Sequence, residues 1–213
     1  MGVPLLKKIV FLRYSRFNQS TQLTQLSMNE PAKDLHLSIK ENYIDSCTHP
    51  LYEEFQNLYR KSFPIFEQRS AAQQALAFQN EKYRLLAFTG RDSLIGFISY
   101  WQFDTYLYIE HFAINTELRG MGYGSRLLRS FIHSTDKLVL LEIDPITDSV
   151  SEARLRFYKK CGFHENQHPH KHPAYCKEYA PHSLIILTTG RQISAQEYLG
   201  FDSDLKTTVM NFL

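Results

Sequence analysis

From residue 35 onward the apolar residues recur with two spacings, one fitting strands and one fitting helices. The stretch HLSI (36–39) reads as a short strand. Across 51–61, Leu51, Phe55, Leu58 and Tyr59 fall on one helical stripe, and a second helix is predicted over 68–79 with Ala72, Ala75, Leu76 and Phe78 as its apolar positions. YRLLAF (83–88) and SLIGFISYW (93–101) read as strands joined by a turn at TGRD. YLYIEHFAI (106–114) is a third strand of this group, apolar on both faces and so expected to be buried on both sides. A helix follows over 122–134, with Leu127, Leu128, Phe131 and Ile132 on one face. The strand KLVLLEI (137–143) stops at Pro145, a helix spans 149–161, and HSLIILTT (182–189) is a last strand. SAQE (194–197) has the Ser-x-x-Glu form of a capping box and opens a C-terminal helix. The order is that of a mixed α/β domain, a meander of strands followed by two strand–helix steps.

Composition narrows the function. At 213 residues, one domain with a short appendage is expected over 35–213. The net charge of +2 gives no case for nucleic-acid binding. No apolar run reaches the ~18 residues a membrane span needs. The three cysteines, Cys47, Cys161 and Cys176, form no CxxC pair, and their odd number fits a reducing compartment, the cytoplasm. Residues 1–29 hold Lys7, Lys8, Arg13 and Arg16 and no acidic residue. The segment 1–34 is therefore read as a basic, poorly ordered extension, with an organellar presequence or a start at Met28 as alternatives.

The first chemical signal is HFAINTELRGMGYGSRLL (111–128), where Gly120, Gly122 and Gly124 alternate between a strand and a helix. A helix N-terminus has backbone N–H groups without intrahelical partners and favours phosphate. Glycine keeps side chains out of the way and permits the positive φ that turns successive N–H groups inward. Arg119 adds a fixed cation beside them. The spacing is neither the dinucleotide fingerprint nor a P-loop. A diphosphate cradle and a tight turn without a ligand both fit.

RGMGYG resembles the R/Q-x-x-G-x-G/A signature of the GNAT superfamily of acyl-CoA-dependent N-acyltransferases. The strand YIEHFAI upstream, the strand LVLLEI downstream, and the helix ending FYKKCGF (157–163) stand where that family has them. The resemblance implies a central, mostly antiparallel twisted sheet flanked by helices and splayed between the fourth and fifth strands. It implies acetyl-CoA as co-substrate, with its pyrophosphate on Arg119, Gly120, Met121, Gly122, Tyr123, Gly124 and Ser125. The pantetheine arm would pair with the backbone at Phe112, Ala113 and Ile114. Where the family often carries Asn and Ala, this chain has Ser151 and Arg154, so cofactor contacts there depart from the pattern.

In the 149–161 helix, Val150, Ala153, Phe157 and Cys161 form one stripe, expected to face the core, and Ser151, Arg154 and Tyr158 form a second, expected to flank the cleft. A Tyr in the position of Tyr158 is often the family's general acid, donating a proton to the departing thiolate; a Tyr that simply packs is the alternative. The amine needs a base. Strand alternation puts Tyr108, Glu110, Phe112 and Ile114 on one face and His111 on the other. The resemblance turns the face of Glu110 towards the acceptor, where a desolvated carboxylate with a raised pKa could relay a proton. A buried Glu held by Arg or Tyr is an equal reading. Glu142 and Asp144 are second candidates. The loop 164–176 carries His168, His170 and His172 at alternate positions, but no Cys or carboxylate completes a metal set there. Its histidines and Tyr175 would border the acceptor pocket. The expected activity is direct transfer of an acetyl group from acetyl-CoA to a primary amine of a small molecule. A protein or peptide acetyltransferase and a non-catalytic acyl-CoA-binding module are the alternatives, and homodimerisation stays open.

Overall fold

The computed structural model describes residues 38–90 and 93–211. The basic extension over 1–34 and residues 36 and 37 of the first strand candidate lie outside the described residues. Strand β1 (Ile39–Tyr43) begins where the apolar pattern ends. It sits at the sheet margin against β2 (Tyr83–Gly90) and turns Lys40 and Glu41 to solvent, as charged edge strands do. Helix α1 (Tyr52–Ser62) buries Phe55, Leu58 and Tyr59. Its Phe55 ring meets Phe97 of β3 (Ser93–Gln102) edge-on at 4.8 Å. Helix α2 (Ala71–Gln79) is closed by a Ser70–Gln73 capping box and turns Gln74 and Ala77 inward, leaving Leu76 exposed. The apolar positions mislead here because the Gln74 amide has a buried acceptor, the Tyr83 hydroxyl at 3.0 Å.

Strands β2, β3 and β4 (Tyr106–Ile114) form an antiparallel meander. Then come α3 (Tyr123–His133), β5 (Leu138–Ile143), α4 (Ser149–Lys160) and the short β6 (Phe163–Glu165). The strand expected over 182–189 is divided. Its first two residues, β8 (His182–Ser183), pair with β7 (Lys171–His172) in a separate two-stranded sheet. The rest, β9 (Ile185–Thr189), enters the main sheet between β5 and β6. Ser194 and Glu197 make the expected capping box of α5 (Ala195–Asp204), which runs into a π-helical turn at Leu205–Val209. The seven-stranded order is β1-β2-β3-β4-β5-β9-β6, and β4–β5 is its parallel pair. Among the described residues no helix is long and apolar enough to cross a membrane.

Helix α4 reverses the faces that spacing predicts. Ser151, Arg154 and Tyr158 are the buried stripe, whereas of the stripe expected to face the core only Cys161 is buried, Val150 and Phe157 are half-buried and Ala153 is exposed. Ser151 is taken up in a capping box with Asp148. The Arg154 guanidinium donates to Asp144 just after β5 at 2.6 Å. A polar stripe can face inward when its partners come from the preceding loop.

Candidate active site

The site begins with a fault in the sheet. Between β3 and β4 the register slips: Ser99 lies opposite His111, but Tyr100 lies opposite Ile109, so Glu110 has no opposite residue. Such a bulge adds one residue to one strand and re-aims its side chains. The parallel ladder between β4 and β5 ends at the same level, at Ile109 and Leu141. Beyond it β4 still pairs with β3 up to Ile114, while the β5-facing edge of Phe112, Ala113 and Ile114 has no ladder partner.

The bulge also overturns the expected placement of His111 on the far face. His111 Nε2 meets the Glu67 carbonyl at 3.0 Å, and its ring packs on Tyr59 and Phe63 at 4.9 and 4.7 Å. Glu110 and His111 both reach Tyr175, by a 3.0 Å hydrogen bond and a 5.9 Å ring contact. Simple alternation cannot hold across an inserted residue, so both side chains share the face towards α1.

At the far end of β4 the chain enters α3 through Gly120 and Gly122, whose φ values are 80° and 83°. A Cβ at either position would have nothing within 4 Å, so the space beside the backbone there is open. Gly122 is the N-cap and supplies no side chain; the helix's first backbone bond runs from the Arg126 N–H to the Gly122 carbonyl at 3.1 Å. The N–H groups of Tyr123, Gly124 and Ser125 precede that bond and have no intrahelical acceptor. Arg119, half-buried, donates from Nε to the Ile114 carbonyl at 3.2 Å and so ties the turn to the open end of β4. Met121 is exposed beside it. At Gly124 a Cβ would make ordinary contacts, 3.5 Å from Ile114 and 3.6 Å from Phe157 of α4, so the packing there does not itself demand a glycine.

Tyr158 is fully buried between the rings of Phe157 and Phe163, and its hydroxyl has no hydrogen-bond partner. A buried O–H donor with nothing to donate to is uncommon in a native fold. Burial pushes its phenol well above the ordinary range, with Arg154 opposing and Cys161 reinforcing, so the group carries its proton at neutral pH.

Glu110 departs from the expectation of a raised carboxyl. Its Oε1 accepts from Arg69 Nε at 2.9 Å and from the Tyr175 hydroxyl at 3.0 Å, and its Oε2 accepts from Trp101 Nε1 at 2.8 Å. Burial alone would push the carboxyl up; the Arg69 guanidinium first, then His111 and the Trp101 donor, outweigh it and hold the group down at about 2. The geometry is that of a buried carboxylate held by Arg and Tyr. Of the second candidates, Asp144 is engaged by Arg154, and Glu142 meets His170 Nε2 and the Tyr108 hydroxyl.

The acetyltransferase (GNAT) family model matches residues 49–163, just over half of the chain. The chain belongs to the GNAT family. Among curated relatives, YjbC of Bacillus subtilis is 27% identical over 107 residues, 49% of this chain, and the match spans about half of that relative, 54%. Among solved structures, a GNAT-family chain from Bacteroides thetaiotaomicron superposes with a TM-score of 0.75 at 26% identity, covering 82% of this chain and 99% of that one. An aminoglycoside 6′-N-acetyltransferase solved with coenzyme A superposes with a TM-score of 0.53 at 17% identity, covering 70% of this chain and 96% of that one, a likeness of fold.

For a GNAT protein, two features of this chain fit an acyl-CoA: the open backbone at the positive-φ glycines and the orphaned Tyr158 hydroxyl. Sequence reading missed Arg69 and Trp101. Arg69 falls within the helix expected over 68–79, but α2 starts only at Ala71, and Arg69 stands in the connector after the 3-10 turn Ile65–Glu67, where helical spacing does not govern burial. The signal that could have found it is a carboxylate inside a buried strand, which demands a cation from elsewhere.

Proposed function

We propose that this protein transfers an acetyl group from acetyl-CoA directly to a primary amine of a small molecule. The observation that carries the reading is the coincidence of three things: a bulge that ends the β4–β5 ladder, a glycine cradle at the end of the freed strand, and a buried Tyr hydroxyl without a partner. The family membership and the coenzyme A bound to the aminoglycoside acetyltransferase support the co-substrate.

Acetyl-CoA, when bound, supplies an activated acyl thioester. The first-turn N–H groups of α3 and Arg119 hold its pyrophosphate, and the open edge of Phe112, Ala113 and Ile114 pairs with its amide groups. Tyr158 gives its proton to the sulfur as the thiolate leaves. Ser151 and Arg154 support α4 from within, engaged by Asp148 and Asp144. Glu110 does not act as the free base; it anchors Arg69, Trp101 and Tyr175 as one wall of the acceptor pocket. Tyr175, His170 and His172 are buried, which favours a closed pocket and a small amine over a peptide groove. Direct transfer is supported at Cys161, whose thiol burial pushes up and so weakens as a nucleophile. The free cysteines fit the cytoplasm. The test is CoA release from acetyl-CoA with a panel of amines and peptides, beside calorimetric binding of acetyl-CoA. Release with small amines and not with peptides is expected; binding without release would make the protein an acyl-CoA-binding module.

A further inference from the structure

Acetylation of an ammonium releases a proton to solvent. R–NH3+ loses two protons on becoming R–NH–CO–CH3; one ends on the thiol and one must leave the site. The wall of that site is buried, and Glu110 is held ionised by Arg69, so it is a poor carrier.

A second line of groups starts on β4 at Tyr108, the residue before the last pair with β5. Its hydroxyl donates to Glu142 Oε2 at 2.5 Å. Glu142 Oε1 meets His170 Nε2, with both side chains buried. On the other side of the imidazole, Nδ1 faces the Tyr198 hydroxyl at 3.4 Å. Tyr198 is half-buried and lines, with His168, His170, Asp202 and Lys206, an open depression of about 550 Å³. A carboxylate on one imidazole nitrogen fixes the ring and leaves the other nitrogen to exchange a proton.

We propose that Tyr108–Glu142–His170–Tyr198 is the path by which the acceptor's proton leaves, with His170 as the carrier. The proposal rests on the amine-acetylating reading above. The ammonium gives a proton to the Tyr108 oxygen as the Tyr108 hydroxyl proton passes to Glu142. The neutral nitrogen bonds to the acyl carbon, the C–S bond breaks, and the sulfur takes the Tyr158 proton. Tyr158 regains a proton from the acylated nitrogen. His170 enters this step with its proton on Nδ1 and Nε2 bare; Glu142, once protonated, gives its proton to Nε2, Nδ1 releases one past Tyr198 to solvent, and return of the neutral ring to the Nδ1–H tautomer closes the cycle. The groups facing His170 are Glu142 from β5 and Tyr198 from α5, with Tyr108 and His172 on the other Glu142 oxygen at 2.5 and 3.8 Å. His168, Asp202 and Lys206 stand at the mouth.

The experiment is His170→Ala in the full chain, with kcat/KM measured against pH and against added imidazole. A fall of ~10²-fold is expected, of the size that lost proton transfer gives. Imidazole, entering through the open depression, should restore at least ~10-fold with a dependence on the buffer's own pKa, and acetyl-CoA affinity should stay within twofold. A variant as active as the parent, or a loss that no imidazole buffer restores, overturns the path while leaving the acetyltransferase reading intact. Should His170→Ala not fold, the shape-conserving Glu142→Gln replaces it, and a kcat/KM profile equal to the parent's overturns the path. Parent protein that binds acetyl-CoA and acetylates no amine overturns both readings.

Discussion

Removing Arg69 is the sharpest test of how the buried cluster around Glu110 is held. Arg69 and Glu110 form an ion pair at 2.8 Å with side chains 1% and 0% exposed, and Arg69 also donates to the Val209 carbonyl at 2.9 Å. Arg69→Met keeps much of the stem that passes Trp101 and Tyr175, and deletes the charge. Glu110 is then a buried anion with only the Trp101 and Tyr175 donors, a loss of about 3–5 kcal/mol at pH 7. The Val209 carbonyl adds about 1 kcal/mol. Glu110→Gln in the Arg69→Met background removes the stranded charge and should recover about 1–3 kcal/mol. The pH dependence has a definite sign. In the parent, the carboxyl is lowered from 4.5 to about 2, so its stabilisation is fully present above 4.5 and is lost as pH falls towards 2. In Arg69→Met, burial dominates and raises the carboxyl, so its cost is relieved as pH falls. The gap between variant and parent should therefore narrow from pH 7.5 to 5. Urea unfolding with unchanged m-values reads both effects. An Arg69→Met loss under ~1 kcal/mol, which is surface-pair size, or a gap that stays constant with pH, would refute the buried-pair account.

Tyr158→Phe keeps the packing between Phe157 and Phe163 and removes only the proton donor; kcat/KM should fall ~10²–10⁴-fold with acetyl-CoA affinity unchanged, as calorimetry will tell. Gly122→Val meets no atom within 4 Å but carries a φ of 83°, so the fold should bear a strain of ~1–2 kcal/mol while acetyl-CoA binding is lost; unchanged affinity would remove the cradle from the site. Because Glu110 is held down at about 2, it is ionised throughout pH 5–9 and should supply no limb to the kcat/KM profile. Glu110→Gln should therefore lower activity without moving the apparent pKa values, and a limb that vanishes in this variant would restore Glu110 as the titrating base.

Most of the fold was legible because its signals are local. β4 begins and ends where its apolar run does, and the three glycines mark the α3 turn without any knowledge of the rest of the chain. What stayed hidden depends on partners distant in sequence. Ser151 and Arg154 are expected to flank the cleft, and only their contacts with Asp148 and Asp144 show why they are buried within the helix packing instead. His111 changes face because of a one-residue bulge, and inserting a residue into a strand leaves no mark in its composition. Glu110 was visible as an anomaly, but its pKa depends on Arg69, which lies 41 positions away in an aperiodic connector. The Glu142–His170 contact joins a strand end to a Pro-rich loop whose histidines have no helical or strand period.

The order in which the chain is made bears on the Arg69–Val209 contact. A ribosome delivers β1 to β4 first, and their meander closes through neighbours near in sequence. Strand β6 must wait for β9, which it borders in the sheet, and Arg69 must wait for the Val209 carbonyl, 140 residues downstream. During synthesis Arg69 and Glu110 can meet before the π-helical turn exists, but the guanidinium lacks its backbone acceptor until that turn is made. A released chain cut ahead of Val209 should therefore hold a formed sheet and a paired Arg69–Glu110, with the second Arg69 contact missing.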